Sequence, residues 1–155
     1  YSMKLKKQLQ ILADEAPKYG ISTEIMQKAV LPVVGAFAQK LRHEDYYILQ
    51  NQAGDWLINT LSHRNHPELE KKVIYAFGRS QDAAKYQNTA NAVAIPVADL
   101  LFQLFALGQI DSIIFMDKPG NLNDGVEISR TAIQNSLQHQ LKQLKTEFST
   151  PSNLA

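Results

Sequence analysis

The residues best suited to chemistry lie in "DKPGNLNDG", Asp117–Gly125, between an apolar run and a mixed one. Loops rich in Asp, Asn and Gly hold calcium or phosphate in many proteins. A calcium loop of the EF-hand kind needs oxygen ligands at alternate positions, a glycine at the sixth and a bidentate Glu at the twelfth. With Gly125 as the sixth residue, Leu122 falls on a ligand position and Thr131 on the twelfth. A phosphate loop needs Lys and a hydroxyl directly after its second glycine, where they meet phosphate and magnesium. Gly120 and Gly125 have the right spacing, but Val126 and Glu127 follow them. Neither motif is intact, so the loop is expected to be structural. Pro119 and Gly120 turn the chain, Asn121, Asn123 and Asp124 satisfy backbone groups, Gly125 takes a strained φ, and Ser129 starts a helix. A small-molecule or ion sensor using residues 117–125 is the alternative. It requires inward-pointing oxygens or free backbone N–H groups there.

The other candidates are scattered. His63 and His66 form "HRNH" before Pro67. That spacing suits a metal on a helix, but it falls in an expected loop and no third ligand accompanies it. His43, Glu44 and Asp45 gather acid–base groups at an expected helix end, where His complements the dipole. No Ser or Thr stands in a nucleophile-elbow context. The chain has no cysteine, which removes disulfides, thiolate catalysis and cysteine-held zinc. No catalytic residue, metal ligand or cofactor is therefore assigned. An uncharacterised hydrolase would need Glu44, Asp45, His63, His66 or Asp117 to converge in one pocket with shifted pKa values.

The elements that must position these groups follow from periodicity. Leu5, Leu9, Leu12 and Ala16 form the apolar stripe of a first helix, stopped by Pro17 and Gly20. Ser22 is placed to cap a second, with Met26, Val30, Val33, Phe37 and Leu41 on one stripe and Pro32 as a kink. "DYYILQN", "DWLINTLSH" and "KKVIYAFG" read as strands, with Gly54 in the first turn and Ser80 capping a short helix. "NAVAIP" is extended. A core helix follows, begun by Asp99 and ended by Gly108. "DSIIFMD" reads as a buried strand. "VEISRTAIQNSLQHQLKQLK" closes the domain as a helix capped by Ser129, with Ile133, Leu137, Leu141 and Leu144 on one stripe. The expected fold class is α+β: a mainly antiparallel sheet of four to five strands, an N-terminal helical hairpin and C-terminal helices packed on it. Residues 1–144 make one domain, and 145–155 a flexible polar tail.

Bulk composition narrows the partners. The chain has 155 residues, 45% of them hydrophobic, with 16 basic and 15 acidic side chains and a net charge of +1. That balance argues against nucleic acid or a membrane surface. Arg42, Arg64, Arg79 and Lys85 do not cluster with aromatics, so no stacking surface for nucleic acid is expected. No stretch is apolar enough to span a bilayer, and "YSMKLKKQ" lacks the apolar core of a signal peptide. A cytoplasmic setting fits the lack of cysteine. The strands carry Tyr46, Tyr47, Trp56, Tyr75 and Phe77, more aromatic surface than one small sheet face needs. They are the expected partner-binding residues, for a protein or peptide segment added to a sheet edge or laid in a groove. Ile25, Leu31 and Val34 lie off the main stripe of the second helix, which points to a homodimer.

Two resemblances bear on this reading. "VIYAFGRSQDAAKY", "VAIPVADLLFQLF", "SIIFMDKPGN" and "GVEISRTAIQNSL", within Val73–Leu137, resemble an SseB-like domain, a small bacterial α+β module. Where that family's turn carries an Asn-Pro pair, this chain has Asp117-Lys118-Pro119-Gly120. The likeness covers under half the chain and implies a non-enzymatic accessory role, without catalytic residues. The size, the many glutamines and the fold outline are also similar to small accessory proteins of photosynthetic bacteria. One such class assists carboxysome shell assembly by binding the tail of a shell protein. That likeness implies a chaperone-like assembly factor.

Overall fold

The structure, a computed structural model, describes residues 4–87, 90–118 and 124–149. Helix α1 (Leu5–Asp14) leads through a 3-10 turn (Ala16–Tyr19) to α2 (Thr23–Ile25), a π-helical turn (Met26–Val30) and α3 (Leu31–Ala38). Strands β1 (Asp45–Gln50), β2 (Asn59–His63) and β3 (His66–Phe77) follow, then α4 (Ser80–Tyr86) and β4 (Asn91–Pro96). Helix α5 (Val97–Leu107), β5 (Ser112–Met116), β6 (Val126–Ser129) and α6 (Arg130–Ser149) complete the chain. The fold is α+β.

The sheet has six strands in the order β4-β1-β3-β5-β6, with β2 paired to the outer half of β3. It is mostly antiparallel, but β3 and β5 run parallel, in register from Val73↔Ser112 to Phe77↔Met116. The α4–β4–α5 segment makes that parallel return possible, because parallel neighbours need a long crossover. Six strands exceed the four to five expected. The extra one is β6: "VEIS" pairs with β5 from Ser112↔Ser129 to Phe115↔Val126 rather than leading into the helix. A run of four residues is too short to show a period, so only its pairing reveals it.

Successive strand residues face opposite sides of a sheet. Tyr46, Ile48, Ile74, Ala76, Ile113, Phe115 and Ile128 face the main core, with Leu100, Leu101 and Leu104 of α5. Helix α3 packs on α1, α5 and α6. Val34 is buried, and Leu31 packs against the core. Ile25, the third residue off the main stripe, stays exposed, so that apolar side is covered within one chain only in part.

Local signals hold at several ends. Ser22 Oγ accepts from the Ile25 N–H at 3.1 Å, and Ser129 Oγ from the Ala132 N–H at 3.0 Å. Gly108 ends α5 at φ 69°, a left-handed conformation glycine adopts without strain. Other ends differ. Helix α5 starts at Val97, two residues before Asp99, and α4 has Arg79 rather than Ser80 at its N-cap. Helix α6 runs on to Ser149, through the start of the expected tail at Lys145. Polar composition did not end it, because Lys, Gln and Glu are good helix formers.

Candidate functional site

The five sheet aromatics divide between the two sides of the sheet. Tyr46 is 0% exposed and belongs to the main core. Phe77, also 0% exposed, lies on the opposite face with Leu49, Ala83 and Met116. Neither can touch a partner in the folded chain, so both leave the expected binding set. The reason is covering: the α5 layer closes over one face, and α4 closes over part of the other. Tyr47 and Tyr75 are half-buried and pack on the smaller cluster around Phe77. Trp56 packs instead against the main core. It lines a cleft of about 300 Å³ with Ile58, Ile74, Gln103 and Ile110.

Among the described residues, α4 is the helix that packs on the second face. Tyr86, at its end, is 41% exposed. Its ring centroid lies 5.0 Å from that of Tyr75 and 5.5 Å from that of Phe77. The Tyr86 phenol is pushed above its ordinary value by burial and then by Tyr75. Tyr47, Tyr75, Tyr86 and Ile114 thus form an apolar, hydroxyl-edged surface at the rim of α4.

The same face continues outward. Strand β3 meets β5 only from Val73 on, and β1 only at Ala76 and Phe77. From His66 to Lys72 its strand partner is β2 alone. The two strands leave the sheet as a ribbon reaching about 20 Å beyond it. Its base is pinned by Asp111, whose N–H donates to the Lys72 carbonyl at 2.7 Å and whose Oδ2 accepts from the Lys72 N–H at 2.8 Å. On the ribbon, Leu61 stands opposite Lys71, and Leu69 is 59% exposed. By the two-residue alternation both share the side of Tyr75.

The groups that could do chemistry fall in two places. The Tyr46 hydroxyl donates to Asp117 Oδ1 in the interior and accepts from the His43 N–H at 3.3 Å. Burial first, then the bond to Asp117, pushes the Tyr46 phenol far up. His43 lies beyond the end of α3, edge-on to Tyr46 with centroids 5.4 Å apart, rather than at the helix terminus. Asp45 is raised by burial and by its neighbour Glu44. His63 and His66 sit on the exposed ribbon, rings 5.3 Å apart. The run of β3 from His66 to Phe77, next to Asp117, spans about 36 Å. His63 and His66 are therefore held far from Asp117, at the other end of β3.

The loop after β5 is described only at its two ends; Pro119, Gly120, Asn121, Leu122 and Asn123 lie outside the described residues. Both its carboxylates are engaged within the chain, Asp117 by Tyr46 and Asp124 by Lys118 Nζ at 3.3 Å. Gly125 does not have the positive φ expected of it. It is needed for space: a Cβ there would lie 2.6 Å from Ile114 Cγ2 and 2.9 Å from Met116 Sδ. Among the described residues no group of three His, Cys, Asp or Glu could hold a metal, and no helix is long and apolar enough to cross a membrane.

Sequence reasoning missed Leu61, Leu69 and Tyr86. Leu61 lies inside an expected strand, but Leu69 lies between the expected loop at His63–His66 and the strand that starts at Lys71, in no expected element. The signal was the short polar "HRNH" directly after one strand and shortly before another, which suits a hairpin turn rather than a metal motif. No protein-family model matches the chain, and no curated protein matches it.

Proposed function

We propose that the protein is a non-enzymatic binding module that holds a segment of a partner protein against the open sheet face, from the rim of α4 out along the β2–β3 ribbon. The observation that carries this reading is the ribbon itself. A two-stranded ribbon alone is marginally stable in water. Leu61 and Leu69 are exposed there, where they add nothing to the free chain's core. A partner covering them, with Tyr47, Tyr75 and Tyr86, removes apolar area from water at about 25 cal/mol per Å². Ordering the segment costs entropy, so an affinity near micromolar is the natural scale.

The likeness to assembly factors makes the tail of a carboxysome shell protein the particular segment proposed, in a cytoplasmic setting. A second copy of the chain is the competing occupant. The test uses wild type and the Leu61→Ser/Leu69→Ser variant as baits in extracts of the native cell, followed by calorimetry on the captured protein. Loss of more than about 1 kcal/mol of binding in an equally folded variant is the expected result. Unchanged affinity would remove the ribbon from the site. A dimer in light scattering that the variant breaks would give the face to a second copy.

A further inference from the structure

The last strand of the sheet has a free side. Among the described residues, strand β6 pairs with β5 on one edge only. Among the described residues, the backbone groups of its other edge have no hydrogen-bond partner. That edge does not simply face solvent. It forms one side of a groove of about 410 Å³, closed by Phe37 and Lys40 at the end of α3 and by Ala132 of α6. A second cleft of about 330 Å³ continues it, sharing Lys40 and Val126 and adding Arg42 and Lys118. Backbone edges of this kind pair with extended segments, which supply the missing donors and acceptors.

Charge decides what kind of segment fits. The carboxylates that line the groove and its continuation already have partners. Asp117 accepts the Tyr46 hydroxyl, Asp124 pairs with Lys118 at 3.3 Å, and Glu127 pairs with Lys71 at 2.7 Å. Glu127 also accepts from Ser112 Oγ at 2.6 Å, on the opposite face of the sheet from Val126. Lys40 and Arg42 have no carboxylate partner among the described residues; Lys40 Nζ sits 5.1 Å from the Phe37 ring centroid. Residues 119–123 carry no charge that could neutralise them. The groove thus ends in two uncompensated cations beside an apolar floor of Val126 and Phe37.

We propose that the outer edge of β6 takes an extended, acidic segment of a partner protein as an added strand, its carboxylates meeting Lys40 and Arg42. Backbone bonds to Glu127 and Ser129, whose main-chain groups alternate away from β5, supply affinity. Alternate side chains of the segment turn inward onto Val126 and Phe37, so apolar residues suit those positions and acidic ones the end near Arg42. The opposite edge of the sheet, β4, ends in Pro96, which has no N–H to offer. The β6 site is separate from the open face and does not depend on its occupant.

The test uses the full chain, labelled with nitrogen-15, and a short synthetic peptide alternating glutamate and valine. A peptide with lysine in place of glutamate is the control. The acidic probe is expected to bind saturably, shift the amides of Val126–Ser129 and slow the hydrogen exchange of Glu127 and Ser129, whose N–H groups face outward. Lys40→Glu/Arg42→Glu changes only exposed side chains, and it should weaken the acidic probe by at least about tenfold while strengthening the lysine peptide. Equal binding of both peptides, or shifts at Lys40 and Arg42 without slowed exchange in β6, would overturn the proposal. Absence of binding would overturn it too and make Lys40 a guard against strand pairing. Exchange at β6 that slows with protein concentration alone would assign the edge to a second copy instead.

Discussion

The side-chain amide of Gln140, on α6, donates to the backbone carbonyl of Lys28 at 3.0 Å. In an α-helix that carbonyl would accept from the residue at 32, which is Pro32 and has no N–H. The π-helical turn at Met26–Val30 lies directly before the proline. A residue more than 100 positions away in sequence thus serves the carbonyl that the proline leaves, and joins α6 to the second helix. Gln140→Ala should lower stability by about 0.5–1 kcal/mol in urea unfolding. The same change in a Pro32→Ala background should cost less, because the backbone can then supply the donor. Equal costs in the two backgrounds would separate the amide from the proline.

Tyr46 and Asp117 make a buried polar pair that removal of a single atom breaks. Asp117 is 7% exposed and accepts from the Tyr46 hydroxyl. Tyr46→Phe keeps the ring and its contact with Phe115, centroids 4.8 Å apart, but strands the carboxylate. A loss of about 1–3 kcal/mol is expected. A loss under about 0.5 kcal/mol would show that water serves Asp117 equally well.

Gly125→Ala should destabilise by about 1–3 kcal/mol through overpacking against Ile114 and Met116. Pairing it with Ile114→Val, which trims a methyl, should recover part of the loss. No recovery, measured by thermal unfolding, would place the strain elsewhere.

Glu127 is held below its ordinary value of 4.5, first by the bond from Lys71 and then by that from Ser112. A carboxyl depressed in the folded state contributes stability above its unfolded pKa. That contribution is lost as pH falls through the lower folded value. The groups are more than a third exposed, so solvent screening limits it to about 1 kcal/mol or less. Glu127→Gln should therefore cost a few tenths of a kcal/mol near neutrality and nothing well below pH 4. A cost that persists in acid would mean packing, not charge, is lost.

Much of the fold was legible because local rules and tertiary context agree. The β-branched run of β5, the apolar surface of α5 and the caps at Ser22, Ser129 and Gly108 all act over a few residues. The candidate site was legible only in part. Adjacency in one strand already sets Tyr46 and Tyr47 on opposite faces, and spacing sets Tyr75 and Phe77 on the same one. Which face lies covered is a fact about α4 and α5, elements distant in sequence. Leu69 was missed for a simpler reason: without its hairpin partner, a polar strand with one leucine has no apolar rhythm to read.

The central claim is that the open face and ribbon meet a partner. A photo-crosslinking residue placed at Leu69, and separately at Lys142 on exposed α6, tests it in the native cell. One dominant crosslinked protein at Leu69 that is absent at Lys142, and that disappears when Tyr75→Ala is added, is the result predicted. Crosslinks equal at both positions, or none at Leu69, would contradict it.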